Sequence, residues 1–240
     1  MQCLNIRASQ SIGVLFLASL ASTTTTASAA VVTVLDTTFA PGTWQASILG
    51  GNSAGSTTVG LSTQTGAGIT GNAQTVTING PGLYSFNSGC FKGDYAWNPA
   101  TDGLLTGIGW ETWHKTTGPS EFAGWRLAVR QGSTTFVGNS SYFEPALFAS
   151  QWQRRTGAVD PATAFSATWG PSATLDLGPT GGLVHFGFVL TRGDLAAGTR
   201  FWRHSFFKLD LTYEPVPAPG AIAVALLGLG AGGTCRRRRR

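Results

Sequence analysis

The chain has 240 residues, 33 of them glycine, with 11 % charged residues and a formal net charge of +5. Charged residues make up about a quarter of an ordinary soluble domain and glycine roughly 7 %, so this surface draws on Ser, Thr and Asn, and long helices are disfavoured. Eight Trp and fourteen Phe exclude a wholly disordered chain, and the balance as a whole argues against a helix-rich cytosolic enzyme.

Residues 1–29 have the three parts of a secretory signal. Arg7 gives a positive start, Ile12–Leu20 is a short apolar run, and Ala27-Ser28-Ala29 is an A-x-A site for a signal peptidase, whose pockets admit only small side chains. The apolar run is shorter than the about 20 residues a spanning helix needs. A buried N-terminal helix is the alternative, and the Ser/Thr run Ser22–Thr26 would end it badly. The expectation is a signal helix that is cut off on export.

Residues 30–214 are one domain's worth of chain, large enough to bury a core without staples. Cys90 is the single cysteine in this segment, so no internal disulfide can form there, and it is expected as a small buried hydrophobe. Short runs rich in Val, Thr, Phe, Trp and Leu predict strands over residues 31–35, 43–49, 75–78, 125–130, 134–137, 163–168 and 183–191. A last strand is expected from Phe201 to Tyr213. Gln131-Gly132-Ser133 is a tight hairpin return. The stretch from Gly50 to Gly71 is expected as loops or short edge strands, and residues 143–153 are the one weak helical candidate, broken by Pro145. Trp44, Trp125 and Trp169 belong in the core by their strand positions. The fold class that follows is all-β, an antiparallel two-sheet sandwich of jelly-roll, lectin-like type.

The last 26 residues, 215–240, differ in kind. Pro215, Pro217 and Pro219 stiffen a linker, residues 221–233 are uncharged and mostly apolar, and Arg236, Arg237, Arg238, Arg239 and Arg240 end the chain. An apolar stretch followed by arginines halts translocation and leaves the cations on the cytoplasmic side. This layout resembles the PEP-CTERM sorting signal, with Val216-Pro217-Ala218-Pro219 matching its Pro-x-Pro frame and Ala218 standing where that family usually has Glu. The resemblance implies processing by an exosortase-type membrane enzyme, transient contact with the membrane through the apolar helix, and a final place at the cell envelope surface or outside it. A plain membrane anchor is the alternative.

The body also resembles the concanavalin-A-like lectin sandwiches. The residues concerned are Trp125-Arg126-Leu127 leading to Arg130-Gln131-Gly132, Leu175-Asp176-Leu177-Gly178-Pro179, and Phe186-Gly187-Phe188. That resemblance implies glycan contact without fixing a binding residue.

Chemical motifs are few. Gly51–Gly55 fits G-x-S-x-G and Gly66–Gly71 fits G-x-G-x-x-G, but neither is followed by the helix that each requires. His114, His185 and His204 have no metal-ligand spacing, and neither a metal nor a cofactor is expected. Glu111, between Trp110 and Trp113, is the first carboxyl to consider for glycoside hydrolysis, since an apolar setting raises a carboxyl pKa. The favoured reading of Glu111 is an outward-facing strand residue, so no catalytic residue is expected and Glu111 is the runner-up. Trp97 and Trp152, with polar neighbours, are the candidate sugar platforms. The expected function is that of an exported, non-catalytic surface or matrix protein with weak carbohydrate contact, and the alternative is a secreted glycan-active hydrolase. No nucleic-acid partner is expected. Of the 16 Lys and Arg, five are in the terminal run and one is Arg7, leaving ten against 11 acids in the body, a net charge of −1.

Overall fold

Side chains of a strand alternate between its two faces, so a sheet that buries one face shows a period of two. The segment Trp125-Arg126-Leu127 obeys this rule, with buried, half-buried and buried side chains in turn. In a computed structural model describing residues 28–51, 57–69, 71–80, 84–117, 122–143, 151–194 and 197–216, such segments make twelve strands and one helical turn. In chain order they are β1 (Ala30–Asp36), β2 (Trp44–Gly51), β3 (Thr58–Gln64), β4 (Ala73–Gly80), β5 (Tyr84–Trp97), α1 (Pro99–Asp102), β6 (Leu104–Thr117), β7 (Phe122–Gln131), β8 (Thr134–Phe143), β9 (Gln153–Val159), β10 (Phe165–Trp169), β11 (Val184–Asp194) and β12 (Gly198–Glu214).

They form two six-stranded antiparallel sheets. Sheet A has the order β3-β4-β12-β6-β9, and β1 also pairs with β12, beyond the part of β12 that β4 covers. Sheet B has the order β10-β8-β7-β11-β5-β2. The chain passes from one sheet to the other at most connections, as in jelly rolls. The expected two-sheet sandwich is therefore the fold. Its strands outnumber those expected because β5, β6 and β9 carry glycines or charges that read as breaks. The segment expected as loops or an edge strand supplies β3, at the edge of sheet A. The Gly66–Gly71 motif lies in the β3–β4 turn, where the Gly68 amide donates to the Gly71 carbonyl at 2.9 Å. Residues 52–55 of the other glycine motif, the signal segment through Ala27, most of the weak helical candidate and the tail from Pro217 lie outside the described residues. Among the described residues no helix is long and apolar enough to cross a membrane.

The core between the sheets is aromatic. Trp44 meets Phe207 edge-on at 5.0 Å, Trp110 lies 4.7 Å from Trp125, and Phe188 lies 4.1 Å from the imidazole of His204. Each fully buried ring of the size of Phe188 stabilises the fold by on the order of 2–3 kcal/mol, which is how the sandwich holds without a disulfide in this segment. Cys90 is a free, fully buried thiol, and desolvation pushes its pKa up to about 12.

One latch is ionic. Asp36 ends β1 in a buried position and accepts hydrogen bonds from the Phe39 amide (2.7 Å), Trp44 Nε1 (2.8 Å) and Lys92 Nζ (2.9 Å). Desolvation raises its pKa, but these donors outweigh it and hold the carboxyl below its ordinary range. Lys92 also reaches Asp94 at 2.8 Å, so one ammonium ties the β1–β2 connection of sheet A to β5 of sheet B.

Candidate functional site: a groove on the outer face of sheet B

The outer face of sheet B, turned away from sheet A, has a small apolar cluster of its own. Phe91, Ala128, Val137 and Val189 are buried there, with Leu49 and Trp169 packed against them. The cluster exists because the sheet is rolled. Five inter-strand steps of about 4.8 Å would hold the edges of a flat six-stranded sheet roughly 24 Å apart. Yet a Cβ built at Gly50 on edge strand β2 would lie 3.1 Å from Nε1 of Trp169 on the opposite edge strand, β10. Trp169, expected in the central core, is thus half-buried on the other face, where it closes the roll.

At one end the roll opens into a groove of about 570 Å³, within the size range of ligand pockets. Ser47 and Leu49 of β2, Arg130 of β7, Thr135 of β8, His185 of β11 and Leu183 line it. Arg130 and His185 are opposite each other in the β7–β11 register, so their side chains stand side by side. The Arg130 guanidinium lies 4.9 Å above the Phe91 ring, and its Nη2 reaches the Gln45 side-chain carbonyl at 3.5 Å. Phe91 can lie there because its register partner on β11 is Gly187, where an added Cβ would run into the Cys90 carbonyl oxygen and come within 2.8 Å of the Phe91 ring. His185 Nδ1 is buried without a hydrogen-bond partner among the described residues.

The wall beside Leu183 is fixed from β7. The Gln131 side chain donates to the carbonyls of Asp176 (2.7 Å) and Gly182 (2.9 Å) and accepts from the Asp176 amide (2.9 Å). Asp176 in turn accepts from the Gly178 amide and the Thr180 hydroxyl, so its carboxylate is spent inside its own turn. Gly132, at φ +59°, makes the tight β7–β8 turn that forms the groove's lip.

The residues singled out in the sequence lie elsewhere. Glu111 is on the outer face of sheet A, gripped by Arg154 Nε and Nη2 at 2.8 and 2.9 Å, with Trp113 Nε1 at 3.2 Å. The Arg154 bonds hold its carboxyl below the usual range, the reverse of the rise an apolar setting would give. It is an outward-facing strand residue. Trp97 is 2 % exposed; its Nε1 donates to the Gly103 carbonyl and its ring packs edge-on against Tyr213. Buried on the core side of β5, it offers no open ring face, because the polar residues around it belong to the turn that α1 makes. Trp152, half-buried just ahead of β9, has the Lys115 ammonium 4.6 Å from its ring centre. Ala29 is exposed immediately before β1, and Val216 is 45 % exposed just after β12, whereas Ala27, Pro217, Pro219 and Arg236 to Arg240 lie outside the described residues. Among the described residues no group of three or more His, Cys, Asp or Glu could hold a metal. The groove residues were missed because Ser47, Arg130, Thr135 and His185 come from four separated strands and share no spacing. Only the outward positions around Arg130, in a strand with an alternating pattern, hinted at this face.

The fold and the groove define an all-β sandwich with a ligand-sized cleft outside one sheet. No family model matches the chain, and no curated protein matches it. Among solved structures it is similar to a family 11 carbohydrate-binding module from Clostridium thermocellum in complex with a β-1,3-1,4-mixed-linked tetrasaccharide. That match has 16 % identity, 74 % of this chain and 94 % of that one covered, and a TM-score of 0.42. It is also similar to a carbohydrate-binding module that recognises mannan (8 % identity, 77 % and 98 % covered, TM-score 0.40). A third is the xylan-binding domain of Paenibacillus barcinonensis Xyn10C (11 % identity, 71 % and 97 % covered, TM-score 0.33).

Proposed function

We propose that the protein is an exported envelope or matrix protein whose sandwich binds polysaccharide in the groove on sheet B without cleaving it. The observation that carries this reading is the groove itself. A guanidinium, an imidazole and the hydroxyl side chains of Ser47 and Thr135 converge on a cavity whose floor and wall are pre-formed, and pre-formed sites lose little entropy on binding. Against hydrolysis stands the chemistry of Glu111. Glycoside hydrolysis needs an acid that stays protonated beside a second carboxyl, and Glu111 is ionised in an Arg154 fork.

Delivery is assigned to the two ends. Signal peptidase cuts after Ala29, and an exosortase-type enzyme acts near Val216-Pro217-Ala218-Pro219, while the segment before Arg236 contacts the membrane in transit. The position of Ala30 at the start of β1 and of Glu214 at the end of β12 supports this division, since neither cut would remove a strand.

Electrophoresis of the full chain through gels containing individual polysaccharides tests the binding. Retardation by at least one polymer, lost in Ser47→Trp, is expected, because an indole at that outward position fills the groove from an edge strand. Trp152→Ala, a contact on the other sheet, should cost less. Equal retardation of wild type and Ser47→Trp would place binding elsewhere, and release of reducing ends would restore the hydrolase reading.

A further inference from the structure

The groove's charges say more about its ligand than its shape does. Arg130 and His185 are its only ionisable lining residues among the described residues, and Arg126 stands on the same outer face four residues before Arg130. The side chains of β2, β7, β8 and β11 described on that face include no Asp or Glu. Asp176, in the loop that Gln131 holds beside Leu183, has its carboxylate turned into its own loop by the Gly178 amide and Thr180. Arg130 thus has no carboxylate partner among the described residues, unlike Lys92, Arg154 and Lys208, which are each paired. Its guanidinium carbon lies 4.9 Å from the Phe91 ring centre and its Nη2 reaches the Gln45 side-chain carbonyl at 3.5 Å, which holds the group over the groove while leaving further N–H donors without an acceptor among the described residues. A planar guanidinium held in place with open donors suits a carboxylate, which it can meet with two parallel hydrogen bonds. The body as a whole is slightly acidic, so this cationic face is a local feature and not a consequence of net charge.

We propose that the groove selects an acidic polysaccharide, a polymer of uronic acid residues, with Arg130 receiving the sugar carboxylate and His185 and the hydroxyls contacting the ring. The inference rests on the glycan-binding reading above and adds to it the class of sugar.

The test compares polygalacturonate with its methyl ester, which has the same backbone without the charge, and with a neutral mixed-linkage β-glucan. Each is used in affinity electrophoresis of the full chain and of Arg130→Gln, Arg126→Gln and His185→Gln, with thermal melts as a check on folding. The terminal arginines are common to every variant, so the readout is the change on substitution. Arg130→Gln should weaken polygalacturonate binding about tenfold and leave ester binding within about twofold, as expected for loss of a charge-assisted bidentate contact. Arg126→Gln should change little, and His185→Gln should weaken both polymers alike. Equal losses in Arg130→Gln and Arg126→Gln, or binding of the ester as tight as that of the acid, would overturn the proposal while leaving glycan binding intact. Failure of every polymer to retard the wild type would overturn the glycan-binding reading as well.

Discussion

Arg154 and Glu111 form a well-aligned pair on an open face, whereas Arg130, facing a groove, has no such partner among the described residues, and the difference decides what each can do. A paired carboxylate is a poor proton donor, so Glu111→Gln should leave any polysaccharide uncleaved at the wild-type level, measured by reducing-end release. Gly187 is the position where the outer face depends on a missing atom. Gly187→Ala would drive a methyl into the Cys90 carbonyl and the Phe91 ring. It should cost about 2 kcal/mol by overpacking, read from urea unfolding, and should also weaken binding by tilting the ring under Arg130. Cys90 gives a third test at this scale. Its thiol, buried and raised to about 12, should react with an aromatic disulfide reagent only as the protein unfolds, so the reaction rate should follow denaturant concentration. The burial of Cys90 was legible from its apolar surroundings and the lack of a partner. The role of Gly187 was not, because a glycine between two phenylalanines reads equally as a bulge, a turn or a close approach.

Among the elements, β5 and β6 are the ones that local pattern concealed. Both have 14 residues, but β5 contains Gly89 and Gly93 and β6 contains Gly107 and Gly109, and glycine inside a strand usually marks an interruption. Pairing of β6 with β12 along nearly its whole length, and of β5 with β11 on both sides of a bulge, overrides that local preference. The β1–β2 connection is held by the Asp36–Lys92 contact, and this too was invisible in sequence, since the partners are 56 residues apart. Asp36→Ala leaves a buried ammonium with only the half-exposed Asp94, and removes an acceptor from Trp44 and the Phe39 amide. A loss of about 3 kcal/mol is expected from urea unfolding.

At the scale of the whole molecule, the two sheets enclose a pair of histidines from the central strands of sheet A. His114 of β6 and His204 of β12 are opposite each other in the register and fully buried among Trp202 and Phe188. Desolvation pulls the His114 pKa down to about 3, with the nearby Arg155 charge adding to it. It pulls His204 well below the ordinary value, with His114 adding there. Both are neutral in the native state, while an unfolded histidine titrates near 6.5. The unfolded chain therefore binds more protons below that pH, and stability falls as pH drops from about 6.5 towards 3. The melting temperature should fall by on the order of 10 °C over that range, and His204→Gln should flatten the slope.

The sequence by itself determined that the body is an antiparallel sandwich with an aromatic core and that the excess positive charge belongs to its ends. Both follow from local quantities, the period of two in residues such as Trp125–Arg130 and the plain position of each arginine. Only the tertiary structure decided how the outer face of sheet B is built. It set Trp97 into the core, turned Trp169 to the outer face, neutralised Glu111 with Arg154, and brought Ser47, Arg130, Thr135 and His185 to one cavity. The curl of a six-stranded sheet depends on how every strand pairs with the next, and no stretch of chain contains that information alone.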